Sequence, residues 1–433
     1  MNVRLHERWD ELRGSYWFVP TLMIIGAALL WGALGAADQA LLEAGVARLP
    51  WLYYDTIESA RTLMFAVAGA MIGIIGVVFS ITTVPLTIAA SQFGPRLLRM
   101  FLRDTGTQVV LGTFTATFIF CMLVLLRMRD ETTASLPQVS LSVGLALALL
   151  SLGLLVYFIN HIAVSMQAPV VVAAVSDELQ AAIKATFPLA SGPAAPAPPF
   201  VPPAAPALTV LAERNGYIQA RDDNQLFQLA ETHHLTIQLL REPGAFVTAG
   251  APLARVWPPA APGSVGQAIN GAFVLEAQRT LVQDIEFGIN ELVEVALRAL
   301  SPAINDPFTA ITCTDWLGAA LCQLAMRQLH VPCRCSSDGT VRLASVPLTF
   351  GHATDAAFNQ IREYGRGSAS VTLHLLNTIA VVAECARSAE QRAHLRRHAE
   401  LIEQGSRDGL PEAVGRALVA QRYAEVAAML AAQ

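Results

Sequence analysis

A single long apolar stretch, residues 59–91, sets the strongest limit on what this chain can fold into. It reads SARTLMFAVAGAMIGIIGVVFSITTVPLTIAAS and has no charged residue after Arg61. About 20 consecutive apolar residues in a helix cross the hydrocarbon core of a bilayer, and this stretch is longer than that. It therefore predicts a membrane-spanning helix.

Small and hydroxyl-bearing residues recur along this helix at steps of three and four, so they share one face. We call this face the stripe; its members are Gly69, Gly73, Gly76, Ser80, Thr83, Thr87 and Ser91. Two interpretations are open. Either the stripe lets another helix approach closely, or its Ser and Thr half lines a water-filled path in an oligomer. Pro85 lies beside the stripe and predicts a kink.

Three more apolar runs bring the predicted spans to four, at about 17–37, 60–91, 107–126 and 139–161. The N-terminal lead and the loop after the second span hold six Arg residues, against three or four in the other two loops. The positive-inside rule then predicts a multi-pass protein of the bacterial inner membrane with both termini in the cytoplasm.

Two polar residues, Asn160 and His161, end the fourth predicted span. A polar group there either forms a hydrogen bond at the membrane surface or belongs to a path for ions or protons. The sequence leaves both readings open.

Composition divides the rest of the chain into segments. Residues 1–187 are predicted to form the transmembrane domain with a cytoplasmic helical extension, and the Pro- and Ala-rich residues 188–207 a semi-rigid linker. Short alternating segments at 208–257 predict a small β subdomain, and residues 272–433 a mainly helical cytoplasmic domain. The predicted fold class is a membrane α-helical domain of four spans plus a cytoplasmic α+β region.

The motif SPAINDP follows a predicted amphipathic helix at 272–300. Asp306 followed by Pro307 is typical of an N-cap and first helical position, which favours a purely structural role. The alternative is a contact with a ligand or a second subunit. The residues proposed for such a contact are Arg279, Asp284, Asn305 and Asp306.

Composition and motifs exclude several function classes. The net charge of −5 provides no basic surface for nucleic acid. The sequence has no P-loop, nucleophile elbow, dinucleotide-binding fingerprint or HExxH motif. We therefore expect no catalytic residues, no cofactor and no metal site, and expect that the protein is not an enzyme.

Two resemblances extend this reading. The phrase REPGAFVTAGAPLARV is similar to the turn-and-strand pattern of biotinyl- and lipoyl-type barrel-sandwich domains. Residues 208–257 contain no lysine to take a cofactor, so this likeness implies a small barrel-like β subdomain and not a carrier.

The strings SQFGPRLL, QDIEFGINELVEVALRALSPAINDPFTA and GYIQ…PGAFVTAGAPL together resemble the bacterial membrane proteins of domain of unknown function family 2254. The resemblance runs along nearly the whole chain and implies four spans and a cytoplasmic C-terminal half. It implies no activity.

Two functional hypotheses follow. The first is a homo-oligomeric channel or transporter for an ion or small solute, with a cytoplasmic regulatory domain. The second is a membrane-anchored sensor or scaffold that does not conduct. The partners we expect are the lipid bilayer and further copies of the chain, and no nucleic acid. A monomer with the stripe buried against its own other helices would favour the second hypothesis.

Overall fold

A computed structural model describes residues 15, 17–43, 57–92, 104–128, 137–189, 200–260, 262–329, 333–346 and 348–432. The loop motif SQFGPRLL lies almost entirely outside these residues, as do positions 190–199 of the expected linker. The chain divides into two compact units, Met1–Gln167 and Ala168–Gln433. Each is described by itself.

Four long apolar helices make up the described part of the first unit. They are α1 (Phe18–Glu43), α2 (Ile57–Gln92), α3 (Thr105–Arg127) and α4 (Gln138–Ser165). Candidate membrane spans, by length and composition, are Phe18–Ala40, Ile57–Val84, Thr105–Arg127 and Gln138–Ser165. The sequence prediction of four helices long enough to span a membrane is confirmed.

Helix α3 is the centre of this unit, because α1, α2 and α4 all pack against it. Its Phe114, Phe120 and Val124 are fully buried. They pack with Met64 of α2 and Phe158 of α4, among other apolar side chains, in two clusters. The buried side chains of the outer helices therefore face α3 or, where α4 contacts α1 and α2, one another.

The second unit combines nine helices with eight strands among its described residues. The helices are α5 (Ala168–Thr186), α6 (Asp223–Thr232), α7 (Ser264–Gly271), α8 (Ile285–Ala299), α9 (Pro307–Ala325), α10 (Phe350–Gly365), α11 (Ala369–Cys385), α12 (Ala389–Gly409) and α13 (Ala413–Ala432). The strands are β1 (Leu208–Leu211), β2 (Gly216–Arg221), β3 (Thr236–Leu239), β4 (Phe246–Val247), β5 (Pro252–Trp257), β6 (Phe273–Glu276), β7 (Cys333–Cys335) and β8 (Val341–Ala344).

The strands form two sheets with the orders β1-β5-β3-β8-β7 and β4-β2-β6. All pairings are antiparallel except β3 with β8. Neither sheet of the described residues closes on itself, so the barrel-like subdomain expected at 208–257 is not confirmed. The sheets also recruit β6, β7 and β8, which come from later in the chain.

Residues 272–300 do not form one helix, and that expectation is wrong. Residues 273–276 instead form strand β6, which pairs with β2 in the register Arg221↔Phe273 and Ile218↔Leu275. The side chains of Phe273 and Leu275 are buried, whereas those of Val274 and Glu276 are more exposed. This is the alternation of a strand. Helix α8 begins only at Ile285, where the Asp284 side chain caps it.

Helix α5 belongs to the second unit and packs on α8 and α9. Its buried side chains include Val172, Leu179 and Ile183. The sequence analysis placed these residues in the transmembrane domain as an extension of the fourth span. Their apolar face instead completes the core of the helical layer that follows.

Candidate functional site

The stripe lies on the face of α2 that is directed away from the rest of its unit. The helix packs through Ala60, Met64, Ala68, Met71 and Val78, all buried. With about 100° of rotation per residue, the stripe is centred roughly half a turn from those positions. It is therefore opposite the packed face.

Every described side chain of the stripe is exposed. A Cβ atom added at Gly69, Gly73 or Gly76 would meet no atom within 4 Å. Large exposed apolar residues flank the stripe, with Ile72 and Phe79 on one side and Val77 and Val84 on the other. The result is a shallow groove of small residues between two apolar ridges, which no other described helix of the first unit fills.

The described hydroxyl groups of the stripe each donate a hydrogen bond to their own helix. Ser80 Oγ bonds the Gly76 carbonyl at 3.0 Å, and Thr83 Oγ1 bonds the Phe79 carbonyl at 2.9 Å. Thr87 Oγ1 bonds the Val84 carbonyl at 2.7 Å. Each oxygen keeps acceptor lone pairs that the helix does not use. The C-terminal half of the stripe, from Ser80 to Thr87, therefore presents a row of hydrogen-bond acceptors that have no formal charge.

Helix α2 runs without interruption from Ile57 to Gln92, through the position of Pro85. The side chains of Pro85 and Ser91 are outside the described residues. A bend at Pro85 stays a prediction, as does the place of Ser91 in the stripe.

A cluster of polar residues joins the start of α3 to the end of α4. Asp104 caps α3 by accepting from the backbone N–H groups of Gly106 and Thr107 and from the Thr107 hydroxyl. The same carboxylate is 2.9 Å from His161 Nε2. The Tyr157 ring stacks on His161 with centroids 5.5 Å apart.

The sequence analysis named His161 but missed Asp104, although an aspartate before Thr-Gly-Thr is a usual helix-start signal. Asn160, the other residue named there, is exposed. The hydrogen bond of His161 to Asp104 is what the first interpretation, a polar contact at the membrane surface, expects. This bond links the start of α3 to the end of α4.

The second unit contains the predicted pair Arg279 and Asp284. The two guanidinium nitrogens Nε and Nη2 donate to the Asp284 carboxylate at 2.7 and 3.0 Å. Asp284 also accepts from the Phe287 N–H, and its side chain is only 3% exposed. Burial raises the pKa of Asp284, and the Arg279 guanidinium and the Phe287 N–H offset only part of that effect.

The tight turn at Pro243-Gly244 packs directly against the Arg279–Asp284 pair. Gly244 has φ +90°, and a Cβ atom at that position would be 2.3 Å from Asp284 Oδ2. Only glycine permits both the backbone conformation and the close approach. The pair therefore fixes the turn at Pro243-Gly244 to the start of α8.

Asn305 and Asp306 lie apart from that pair. Asp306 caps α9 by accepting from the N–H groups of Phe308 and Thr309 and from the Thr309 hydroxyl. Asn305 has φ +50° and is exposed. The predicted cap at Asp306 and Pro307 is confirmed. No hydrogen bond or ion pair of the described residues joins these two residues to Arg279 or Asp284.

Among the described residues, no group of three or more His, Cys, Asp or Glu side chains is arranged to hold a metal ion.

Comparison with known proteins identifies the family. Residues 13–381 match the family described as "Predicted membrane protein (DUF2254)", which is well over half of the chain. The chain belongs to this family. The DUF2254 match includes all four candidate spans and the segment from α5 into α11. The protein is therefore a membrane protein, as its resemblance implies.

Relatives in mycobacteria align with nearly the whole chain. The "Uncharacterized protein Mb1321c" of Mycobacterium bovis and the "Uncharacterized protein Rv1290c" of Mycobacterium tuberculosis are each 32% identical over 419 residues. The alignments cover 95% of this chain and 80% of each relative. No solved structure matches the chain.

Proposed function

We propose that the protein is a homo-oligomeric channel or transporter in which the stripe of each α2 faces the α2 helices of other copies. The observation that carries this proposal is the exposed stripe, opposite the packed face of its own helix. In lipid, helices associate by close packing of small residues, since the bilayer already solvates apolar side chains. Gly69, Gly73 and Gly76 would form that contact.

The hydroxyl groups in the C-terminal half of the stripe are the reason to propose conduction by the same oligomer. Ser80, Thr83 and Thr87 keep acceptor lone pairs after donating to the helix. A ring of such oxygens around an axis replaces part of the hydration shell of a cation, as pore-lining oxygens do. The substrate class that fits is a cation or a small polar solute rather than an anion.

The proposed orientation places both termini and the second unit in the cytoplasm of a bacterial inner membrane, because of the bias of Arg residues towards those loops. Reporter cysteines at residues 45 and 134 of a cysteine-free chain should then react with an impermeant reagent from outside. Reporters at residues 100 and 260 should not. Labelling of residue 260 from outside would reverse the assignment.

The test of conduction is cation flux into liposomes that contain the purified protein. The double variant with Thr83→Val and Thr87→Val lacks two hydroxyls but nearly preserves the shape of both side chains. Its fold should therefore stay intact while the flux changes. Thr21→Val is the matched control, because Thr21 is an exposed threonine of another span that also bonds the carbonyl four residues back.

The control variant should conduct like the unmodified protein. Unchanged flux in the folded double variant would show that the Thr83 and Thr87 hydroxyls do not line the conduction path. A folded protein without flux in any variant would favour the second candidate, a membrane-anchored sensor or scaffold. That alternative rests on the second unit, which has a core of its own.

A further inference from the structure

Two cysteines of the second unit come together where α9 packs against α11. Cys322 is near the end of α9 and Cys385 is the last residue of α11. Cys322 Sγ lies 3.7 Å from the carbonyl oxygen of Val381, one turn before Cys385. The Cys385 thiol is close enough to help raise the pKa of the Cys322 thiol.

Close approach of the two helices explains this contact. One turn before Cys322, Gly318 faces Thr378, and a Cβ atom at Gly318 would be 2.5 Å from Thr378 Cγ2. The missing side chain lets the backbones of α9 and α11 approach. A turn further along both helices, that approach brings Cys322 to the turn that ends in Cys385.

The pair differs from the two buried cysteines of the chain. Cys121 and Cys313 are buried and on separate helices, whereas Cys322 and Cys385 are both only partly buried. A small oxidant can therefore reach the pair from solvent. Nothing in the Arg279–Asp284 pair or in the stripe involves either thiol.

We propose that Cys322 and Cys385 form a dithiol site that a peroxide converts into a disulfide. One thiol sulfur attacks a peroxide oxygen, the O–O bond breaks, and a sulfenic acid and one water form. The second sulfur then displaces the sulfenic oxygen as another water and forms the S–S bond. The two thiols lose two electrons and two protons in total, and hydrogen peroxide takes up both to become two waters.

The disulfide fastens the end of α11 to α9 and leaves the stripe untouched, so the proposal does not depend on conduction. Burial and the neighbouring thiol raise the pKa of Cys322 to about 12. Because the thiolate is the reactive form, the site reacts slowly at neutral pH and faster in alkali. It responds to sustained rather than brief exposure.

The test uses the full chain in detergent, first reduced and then treated with hydrogen peroxide. Digestion without reductant and mass spectrometry should detect one peptide pair joined through Cys322 and Cys385, lighter by two hydrogen atoms than the separate peptides. Free thiols at both positions after treatment, or a disulfide only between Cys333 and Cys335, would overturn the proposal.

A redox-neutral probe checks proximity independently. Phenylarsine oxide condenses with two adjacent thiols and releases one water, so one arsenical should bridge Cys322 and Cys385. Cys322→Ser and Cys385→Ser should each lose that bridge, while Cys335→Ser should retain it. Retention of the bridge in either of the first two variants would contradict the assignment. The cross-linked peptide from the unmodified chain is decisive even if a variant does not fold.

Discussion

The carboxylates of Asp284 and Asp306 both cap helices, and Asp284 also contacts a residue that is distant in sequence. Asp306 before Pro307 indicated the start of α9, and the structure places its carboxylate on two N–H groups there. The contact of Gly244 with Asp284 joins residues 40 apart in sequence. Local spacing contains no signal for such a contact.

That contact yields a matched pair of substitutions. Gly244→Ala places a Cβ atom 2.3 Å from the Asp284 carboxylate and also strains a backbone with φ +90°. Gly250→Ala strains a similar backbone, φ +84°, but meets no atom within 4 Å. We expect Gly250→Ala to cost about 1 kcal/mol and Gly244→Ala about 2–3 kcal/mol more.

Denaturant unfolding of the second unit, followed by Trp257 and Trp316 fluorescence, measures both costs. Equal losses would mean that Gly244 does not approach Asp284 as the structure places it.

A buried histidine makes the second unit sensitive to acid. His398 is fully buried, its Nε2 is 2.8 Å from Asp355, and its Nδ1 has no hydrogen-bond partner among the described residues. Burial lowers the pKa of His398, and the Asp355 carboxylate offsets only part of this; Arg397 and Arg362 lower the pKa further. The folded state therefore takes up this proton at lower pH than the unfolded state does.

The contribution of His398 to the free energy of unfolding is therefore fully present above about pH 6.5, the pKa of His398 in the unfolded state. It is lost as the pH falls below that value. We expect a loss of up to about 1.4 kcal/mol per pH unit, which ends once the pH falls below the folded-state pKa. Hydrogen exchange of residues 389–409 between pH 7 and 5 measures it. His398→Leu should flatten that dependence, and a slope unchanged in the folded variant would contradict the assignment.

At the scale of elements, long uncharged apolar runs predict the four spans, because a bilayer demands long uncharged helices whatever the tertiary contacts. Helical periodicity predicts residues 273–276 wrongly as helix, since pairing with the distant β2 decides their conformation. It also assigned α5 to the wrong neighbours. An apolar helical face shows that a partner exists but not which partner it is.

Helix α5 offers a direct test of that assignment. Its buried Val171, Val172, Val175, Leu179 and Ile183 lie against α8 and α9, and each is worth roughly 1–3 kcal/mol when buried. A fragment of residues 168–433 should therefore be soluble and monodisperse. A fragment of residues 208–433 lacks α5 and should aggregate, as size-exclusion chromatography would detect. Equal behaviour of the two fragments would show that α5 is dispensable.

For the whole molecule, the sequence predicted a membrane unit followed by a mixed α and β part, since uncharged runs and alternating strands leave distinct patterns. It left undecided whether the stripe meets a helix of its own chain. Within the first unit, the structure excludes the other described helices, because the glycines of the stripe contact none of them. The proposed oligomer therefore depends on contact between chains.

The most direct test is the mass of the protein in detergent, with and without a side chain in the stripe. Gly73→Leu fills the space in which we propose that another α2 packs, and a Cβ atom there meets no described atom of its own unit. Gly153→Leu adds the same side chain to an exposed position of α4 that is equally empty. We predict oligomers for the unmodified protein and for Gly153→Leu, and folded monomers for Gly73→Leu. A monomeric unmodified protein, or an unchanged oligomer in Gly73→Leu, would contradict the account.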